Sequence, residues 1–320
     1  MKKAICIGVL LCSGILFSQE DSDSLVSDNT ERLFALTPEE KKQEHPYSIW
    51  VNGVGLYATQ APFGGNTDFR YNSTGGFAGL DYIGIENRSF GGSVGYLYTV
   101  LQESANAGHQ NIQNIYLSGY GYFVFSKFSM DIALTPAYLY TTSYRKVSAN
   151  GFTGTAIGKF PTYEITPHVG LSYAFEYQWG SLCPFFRSDW TINWNSGFTE
   201  TNAATYNIQQ PGSVNSLLQT EVGLNVYEYC DLGERGFFYF RQKVGYLNKA
   251  PFQSSTSSGV YVESFTDFTV SISSAMQNLF TAAAEILYQR GNSSGFVNYD
   301  LQYGCGFLMQ MVTLNVRQNF

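Results

Sequence analysis

The chain is short of charge and, beyond its first residues, of long apolar runs. Charged residues make up 13% of the 320 residues, whereas ordinary soluble domains hold ~25%. After the apolar run 4–17, no segment reaches the ~20 apolar residues that a transmembrane helix needs. The first deficit disfavours a soluble surface, and the second disfavours a membrane protein built from helices.

Cysteine and clustered bases are scarce as well. The chain has five Cys, and Cys6 and Cys12 fall within the apolar start. Because the other three thiols, Cys183, Cys230 and Cys305, are odd in number, they form at most one internal disulfide. None has a metal-ligand spacing, and the apolar alternation around Cys305 predicts a small strand residue. The net charge of −7 excludes a basic nucleic-acid surface.

The amino terminus has the layout of a secretory signal peptide. Two lysines precede the apolar run 4–17, and small or polar residues follow it. Cleavage after Ser18 or Gln19 fits this layout. We therefore expect residues 1–19 to be removed and the mature chain to be exported.

Aromatic residues and glycine are abundant. The chain holds 24 Tyr, 25 Phe and 32 Gly, yet its mean hydropathy is only −0.13. A membrane β-barrel gives such an average because lipid-facing apolar residues alternate with polar lumenal ones, and aromatics are concentrated at its rims. A soluble all-β secreted domain is the alternative, and the low charge argues against it.

From Tyr47 onward, apolar residues recur with a period of two. In the segment 163–175, every odd position is apolar, Tyr or Pro. This period predicts strands with one face toward lipid and the other toward a lumen. A base facing lipid at the midplane costs roughly 2–4 kcal/mol. We therefore predict lumen-facing positions for these side chains: Glu164, His168, Arg187, Asp189, Arg241 and Lys243.

Counting such segments predicts an all-β fold, a transmembrane antiparallel β-barrel of about twelve strands. An even number lets both ends of a closed barrel lie on one side of the membrane. The last segment, from 296 onward, is too long for one strand. Its apolar phase shifts before Val312, which indicates a bulge or a turn and leaves the count open by two. The other strands are predicted at 47–59, 74–85, 88–102, 111–125, 128–144, 161–177, 183–198, 214–229, 235–247, 260–274 and 278–290.

Four stretches between these segments are rich in Gly, Ser, Thr and Asn. Such composition is typical of surface connections, because these residues favour turns over extended pairing. We expect longer extracellular loops at 60–73, 145–160, 199–213 and 248–259.

The carboxyl terminus is a strand that ends on an aromatic residue. Val312, Leu314, Val316 and Phe320 share one face of this strand. The ending resembles that of bacterial outer-membrane β-barrel proteins, although Gln318 stands where an apolar residue is usual. The resemblance implies that these four apolar residues form the insertion signal, that the barrel-assembly machinery is a partner, and that the protein resides in the outer membrane.

The order of glycine, tyrosine and acidic positions resembles the translocator β-domain of autotransporters. A strand that begins with a Trp and small residues is followed by G-x-x-x-G-x-D, a G-Y strand, a G-Y-G-Y strand and an acidic strand. The stretch from Phe280 to Phe307 is also similar to the barrel of polymorphic outer-membrane proteins. The resemblance covers residues 47–320 and implies a barrel of this type. The matching segments are 48–57, 75–81, 91–98, 116–122 and the strand that contains Asp131.

The resemblance is incomplete before the barrel. An autotransporter carries a large passenger there, whereas the segment 20–45 is acidic and contains no repeat. Thr37 and Pro38 predict the start of a short helix. That helix entering the lumen and a disordered arm are the two alternatives. We expect three regions: a signal peptide 1–19, an acidic linker 20–45 and a barrel 46–320.

No residue pattern indicates a catalytic, cofactor or metal site. One acid–base pair is a candidate, His168 with Glu164, and a hydrogen-bonded lumenal histidine is the favoured interpretation. We expect a non-enzymatic surface barrel whose loops contact the environment or a host. An open pore or translocator for a peptide or small solutes is the alternative, and a barrel-borne hydrolase is the third. The expected partners are outer-membrane lipids, the assembly machinery and an extracellular ligand.

Overall fold

The computed structural model describes residues 46–61, 68–85, 87–103, 108–149, 152–252, 256–261, 267–271 and 276–320. The predicted signal peptide 1–19 and acidic linker 20–45 lie outside these ranges. The described part is almost entirely β-structure, with two short 3-10 turns at Ala204–Tyr206 and Gly233–Arg235. Among the described residues, no helix has the length and the hydropathy that crossing a bilayer requires.

Twelve long strands close into an antiparallel barrel. In chain order they are β1 (Tyr47–Gln60), β2 (Phe69–Ile85), β3 (Arg88–Glu103), β4 (Gly108–Phe125), β5 (Phe128–Ala149), β6 (Phe152–Tyr173), β8 (Gly180–Asn195), β11 (Ser213–Asp231), β12 (Phe237–Pro251), β15 (Gln277–Arg290), β16 (Ser293–Gly304) and β17 (Phe307–Asn319). The five short strands are β7 (Phe175–Tyr177), β9 (Phe198–Thr199), β10 (Ile208–Gln210), β13 (Thr256–Tyr261) and β14 (Asp267–Ser271).

Each long strand pairs with its neighbours in chain order, and β17 returns to pair with β1. The closing register runs from Ser48↔Asn319 to Gln60↔Phe307. Both ends of the barrel therefore lie at one rim, which we call the proximal rim. Short turns join the strands there, and the longest connections lie at the opposite, distal rim. Outer-membrane barrels have short periplasmic turns and longer extracellular loops, so the distal rim is the extracellular one.

The predicted count of twelve strands is confirmed, although two segments were assigned wrongly and the errors cancel. The segment from 296 is two strands joined by a turn at Cys305 and Gly306, with φ of 49° and 75°. Positive φ at both central residues is the signature of a type I′ hairpin. Cys305 is therefore a turn residue rather than a strand residue. The predicted strand 260–274 is absent from the barrel, and β13 and β14 lie in a separate small sheet.

The loop predicted at 145–160 is wrong. Strands β5 and β6 remain paired from Arg145↔Ala156 to Ala149↔Phe152. Alternation persists there, because Val147 and Ala156 bury their side chains against Ala203. The other three predicted loops hold connections that are shorter than expected, since β2 begins at Phe69, β12 ends at Pro251, and β9, β10 and β13 are strands.

Aromatic side chains form two belts around the outside of the barrel. At the proximal rim, the ring of Tyr47 lies 5.3 Å from that of Tyr82 and 6.2 Å from that of Phe320. In the second belt, Tyr138 pairs with Tyr163 at 5.5 Å. Strand β5 advances about 33 Å between Phe128 and Tyr138. A tilted strand of that length crosses the ~25 Å apolar band of an outer-membrane barrel.

Candidate functional site

The inner face of the barrel carries the charge that the outer face lacks. Of the six charged side chains expected in the lumen, five belong to buried residues and that of Asp189 is partly buried, at 21% exposure. The cross-strand register places all six on the inner face. The four apolar residues of the carboxyl-terminal strand, Val312, Leu314, Val316 and Phe320, are exposed on the outer face.

A cluster of four side chains lies inside the barrel near the proximal rim. The Arg317 guanidinium is 3.0 Å from a carboxylate oxygen of Asp81. The Tyr120 hydroxyl donates to Asp81 at 2.5 Å, and the Trp50 indole N–H is shared between Tyr120 at 3.1 Å and Asp81 at 3.3 Å. These contacts join β17, β2, β4 and β1, so they brace the seam where the barrel closes.

Glycines make room for this cluster. A Cβ atom added at Gly79 would overlap the Trp50 ring, and one added at Gly91 would overlap the Tyr120 ring. Gly79 is opposite Trp50 in the register of β1 and β2, and Gly91 is opposite Tyr120 in that of β3 and β4. The spacing of glycines, tyrosine and aspartate in the sequence therefore has a steric origin. The Trp50 ring lies across Gly79 and the Tyr120 ring lies across Gly91, and neither glycine has a side chain.

His168 bridges two carboxylates farther round the barrel. Its Nε2 lies 2.5 Å from Asp131, and its Nδ1 lies 2.5 Å from Asp189. Both partners lie on neighbouring strands rather than on its own strand. The sequence offered Glu164 as one candidate partner of His168, and in the structure Glu164 accepts from Thr166 at 3.4 Å. A lumenal histidine in a polar network is what the structure contains.

The second half of the barrel has its own charge network. Lys243 lies 3.3 Å from Glu221 and 3.8 Å from Asp300. Thr281 donates to Glu221 at 2.6 Å. Arg241 faces Glu285 at 3.8 Å, and both are buried. The acids of β11, β15 and β16 thus surround the two bases of β12, and these contacts cross-link the four strands.

An apolar layer occupies the inner face on the distal side of these polar networks. Its members belong to β1–β6, β12, β15 and β17, and they form one contact cluster of buried residues. Sequence reasoning missed this layer, because it assigned apolar residues to the lipid face only. The signal that indicates it is an apolar residue out of phase with its strand, as Leu139 is. The layer includes Leu56, Tyr71, Leu101, Ile112, Leu139, Phe160, Leu247, Leu279, Phe307 and Met309.

The connection between β8 and β11 folds inward over the distal mouth. Glu200 forms a buried, two-pronged ion pair with Arg145 of β5. The same carboxylate accepts from the Ile208 backbone N–H at 2.9 Å. Phe198 stacks on Phe160 of the apolar layer, with ring centroids 4.6 Å apart. The sequence assigned no role to Arg145 or Glu200, because both lie within predicted loops.

The distal connections also build a sheet of their own. Its strand order is β14-β13-β10-β9, and all its pairings are antiparallel. A further bridge pairs Ile157 of the tall β5–β6 hairpin with Thr201. The connections after β8 and after β12 are therefore folded against each other and against the hairpin.

Nothing in the described ranges gathers three or more His, Cys, Asp or Glu side chains in a geometry suited to a metal ion. No disulfide joins the three described thiols, Cys183, Cys230 and Cys305, to one another.

An apolar exterior with aromatic rims, a charged and cross-linked interior, and closure with both ends at one rim define a β-barrel of the bacterial outer membrane. The family model of the autotransporter β-domain matches residues 49–300. The chain therefore belongs to the autotransporter β-domain family, and it is a translocator barrel of the Gram-negative outer membrane.

Solved translocator barrels share this fold at low sequence identity. The translocator domain of NalP from Neisseria meningitidis superposes with a TM-score of 0.75 at 11% identity, covering 94% of this chain and 96% of its own. The β-domain of Bordetella BrkA gives 0.66 at 13% identity, with 86% and 100% covered. The transport unit of AIDA-I from Escherichia coli gives 0.54 at 14% identity, with 94% and 98% covered. Comparison with curated protein sequences yields no significant match.

The steric fit at the seam predicts a specific loss of stability. Gly79→Ala should lower the free energy of unfolding by about 1–3 kcal/mol, because the new methyl group displaces the Trp50 ring from its partners. Urea titration of the refolded barrel in detergent micelles measures this change. Gly55→Ala on β1 is the matched control, since a Cβ there meets nothing within 4 Å. Equal stability of the two variants would contradict the steric role.

Proposed function

We propose that this barrel is a non-enzymatic surface protein whose folded distal head contacts the extracellular environment or a host. The distal head is defined as the hairpin end 141–160, the connection 196–212 and the strands β13 and β14. The single observation that carries the proposal is the buried Arg145–Glu200 ion pair, which fixes the connection after β8 to the hairpin. Flexible loops gain nothing from such a pair, whereas a preorganised binding surface does.

The height of the hairpin supports this proposal. Strands β5 and β6 have 22 residues each, whereas crossing the membrane takes only ~9–11 residues per strand. Beyond Tyr140, the outward positions of β5 are polar or carry a hydroxyl, among them Thr142, Lys146 and Ser148. The hairpin therefore projects well past the outer aromatic belt into water, where it supports the rest of the distal head.

The contacts of both His168 ring nitrogens support a non-catalytic role for this residue. Both ring nitrogens contact carboxylates, and the residue is 6% exposed. A general base needs a ring nitrogen within reach of a substrate proton. His109 lies at the rim, where its ring stacks on Tyr144 at 4.4 Å.

Removing the distal head tests the proposed function. Replacing 197–211 and 253–275 with short Gly-Ser linkers should leave the barrel folded, because the twelve-strand register is untouched. Binding of bacteria to a panel of immobilised glycans and matrix proteins should fall to the level of a strain without the protein. Heat-modifiable gel mobility verifies that the variant folds.

The matched control for this test replaces the proximal turn 232–236 with Asn-Gly, which shortens a periplasmic connection instead. The milder variant Glu200→Gln, which breaks the ion pair at constant shape, should weaken binding partially. Binding that survives loss of the distal head, or that falls equally in the proximal control, would contradict the proposal.

A conduit for a peptide or small solutes is the second candidate, and the charged inner face favours it. Planar-bilayer recording separates the candidates. If the barrel is a surface protein, we expect no stable conductance from the full chain, because the apolar layer and the connection after β8 obstruct the distal side of the lumen. Stable open channels, or channels that appear when residues 20–45 are deleted, would favour a conduit that the acidic linker closes.

We further propose that Val312, Leu314, Val316 and Phe320 are read by the assembly machinery. Their exposure on the outer face of β17 leaves them accessible to a partner before lipid covers them. Deleting Phe320 should reduce the heat-modifiable fraction in outer membranes several-fold. The same variant should refold in detergent as well as the wild type, because an end residue contributes little to stability. Equal loss in both assays would indicate a folding defect instead.

A further inference from the structure

Exposed bases at the distal rim are confined to one side of the barrel. Arg70 on β2, Lys146 on β5 and Lys159 on β6 are all exposed, and His109 on β4 lies among them. The other side has no counterpart. No Lys or Arg occurs in the sequence between Arg187 and Arg235, or between Lys249 and Arg290, and Lys249 itself is buried inside.

The strand register brings these bases together on the outer surface. Arg70 lies opposite Gln102, which lies opposite His109, which lies opposite Tyr144. Lys146 lies two residues beyond Tyr144 on β5. Lys159 on β6 lies opposite Thr142, which is two residues before Tyr144. With neighbouring strands about 4.8 Å apart, Arg70 and His109 are about 10 Å apart. We call Arg70, His109, Lys146 and Lys159 the cationic patch.

The cationic patch lies just outside the apolar band. On β5 the last outward tyrosine of the belt is Tyr140, which lies opposite Pro161. Lys159 is two residues farther out than Pro161, and Lys146 is six residues farther out than Tyr140. Lys159 is therefore at the depth of the lipid headgroups and Lys146 lies farther out, so both avoid the cost of a charge in hydrocarbon.

A cavity of about 730 Å³ opens beside the cationic patch. Its lining includes Arg70, His109 and Lys146 together with Tyr57 and Gln102. The cavity arises because β2, β3 and β4 end early, whereas the β5–β6 hairpin continues outward. A ligand can therefore contact the distal ends of β2, β3 and β4 together with the side of the β5–β6 hairpin.

The charge balance of this cavity favours an anion. Its acidic lining residues are Asp68, which is exposed, and Glu103, which is buried on the inner face. The neighbouring connections 62–67, 104–107 and 150–151 contain no charged residue. Two exposed bases of the lining, Arg70 and Lys146, thus face one exposed acid, and the exposed Lys159 lies nearby on β6. The ring of His109, stacked on Tyr144 at 4.4 Å, adds a flat aromatic surface of the kind that sugar rings contact.

We propose that the cationic patch and its cavity bind the phosphorylated sugar headgroup of lipopolysaccharide in the outer leaflet. Arginine binds phosphate through paired N–H groups, and lysine does so as a point charge. The amide of Gln102 and the hydroxyl of Tyr144 supply hydrogen bonds to sugar hydroxyls. Acyl chains attached to the headgroup would continue down the apolar outer face below the cationic patch. This proposal is independent of the function proposed for the distal head.

The test compares two charge-matched triple variants in detergent micelles. One is Arg70→Gln/Lys146→Gln/Lys159→Gln, and the other is Arg88→Gln/Lys127→Gln/Arg290→Gln at the proximal rim. Binding of fluorescent rough lipopolysaccharide should weaken about tenfold or more in the distal triple, because each base near an anionic surface adds a several-fold factor. It should stay unchanged in the proximal triple. Dephosphorylated lipopolysaccharide should bind the wild type as weakly as the intact lipid binds the distal triple.

Three outcomes would overturn the proposal. Equal weakening in both triples would mean that only net charge matters. Undiminished binding of the dephosphorylated lipid would remove the phosphate from the interaction. Displacement by inorganic pyrophosphate at the affinity of the lipid would make free phosphate, not a lipid, the ligand. If the distal triple fails to show heat-modifiable mobility, the single variants Lys146→Gln and Lys159→Gln replace it, and no loss in either would contradict the proposal.

Discussion

The pairing of the last strand with the first is the interaction on which the rest of this protein depends. Hydrocarbon offers no partner for a backbone N–H or C=O group, so an open sheet edge in a membrane is prohibitively costly. The continuous register from Ser48↔Asn319 to Gln60↔Phe307 removes both edges at once. Closure also decides which residues face inward, and so it creates the lumen in which buried charges become tolerable.

The inner face then divides into two parts that are stabilised by different interactions, ion pairs in one and apolar packing in the other. Toward the proximal rim, charges are neutralised by residues of nearby strands, as Asp81 is by Arg317 across β1 and Glu221 by Lys243 on the adjacent strand. Toward the distal rim, apolar side chains pack together, and the connection after β8 rests on them through Phe198. Ion pairs cross-link strands with directional contacts, whereas the apolar layer gains from removing surface from water. The distal head packs on the apolar layer.

Most of the barrel could be predicted from the sequence because a period of two is unambiguous where lipid lies on one side and charge on the other. Prediction failed where both faces are apolar or both are polar. Phe307 and Met309 are apolar and inward, so their run continued that of Tyr303 across the hairpin, and the sequence could not decide between a bulge and a turn. Around Lys159 both faces are polar or small, and the strand resembled a loop. Side-chain contacts across strands, such as His168 with Asp131, follow from register, which one sequence does not encode locally.

Closure by the chain's two ends has a kinetic consequence. Asn52 and Asn315 are hydrogen-bonded although 263 positions separate them, so the contacts that complete the barrel have a very high contact order. Such contacts form late, because a long loop must close before they form. Until then, the growing sheet has two unpaired edges, and each can pair with another chain. A chain that lacks its final strand is therefore a sheet open to aggregation, rather than a slightly less stable barrel.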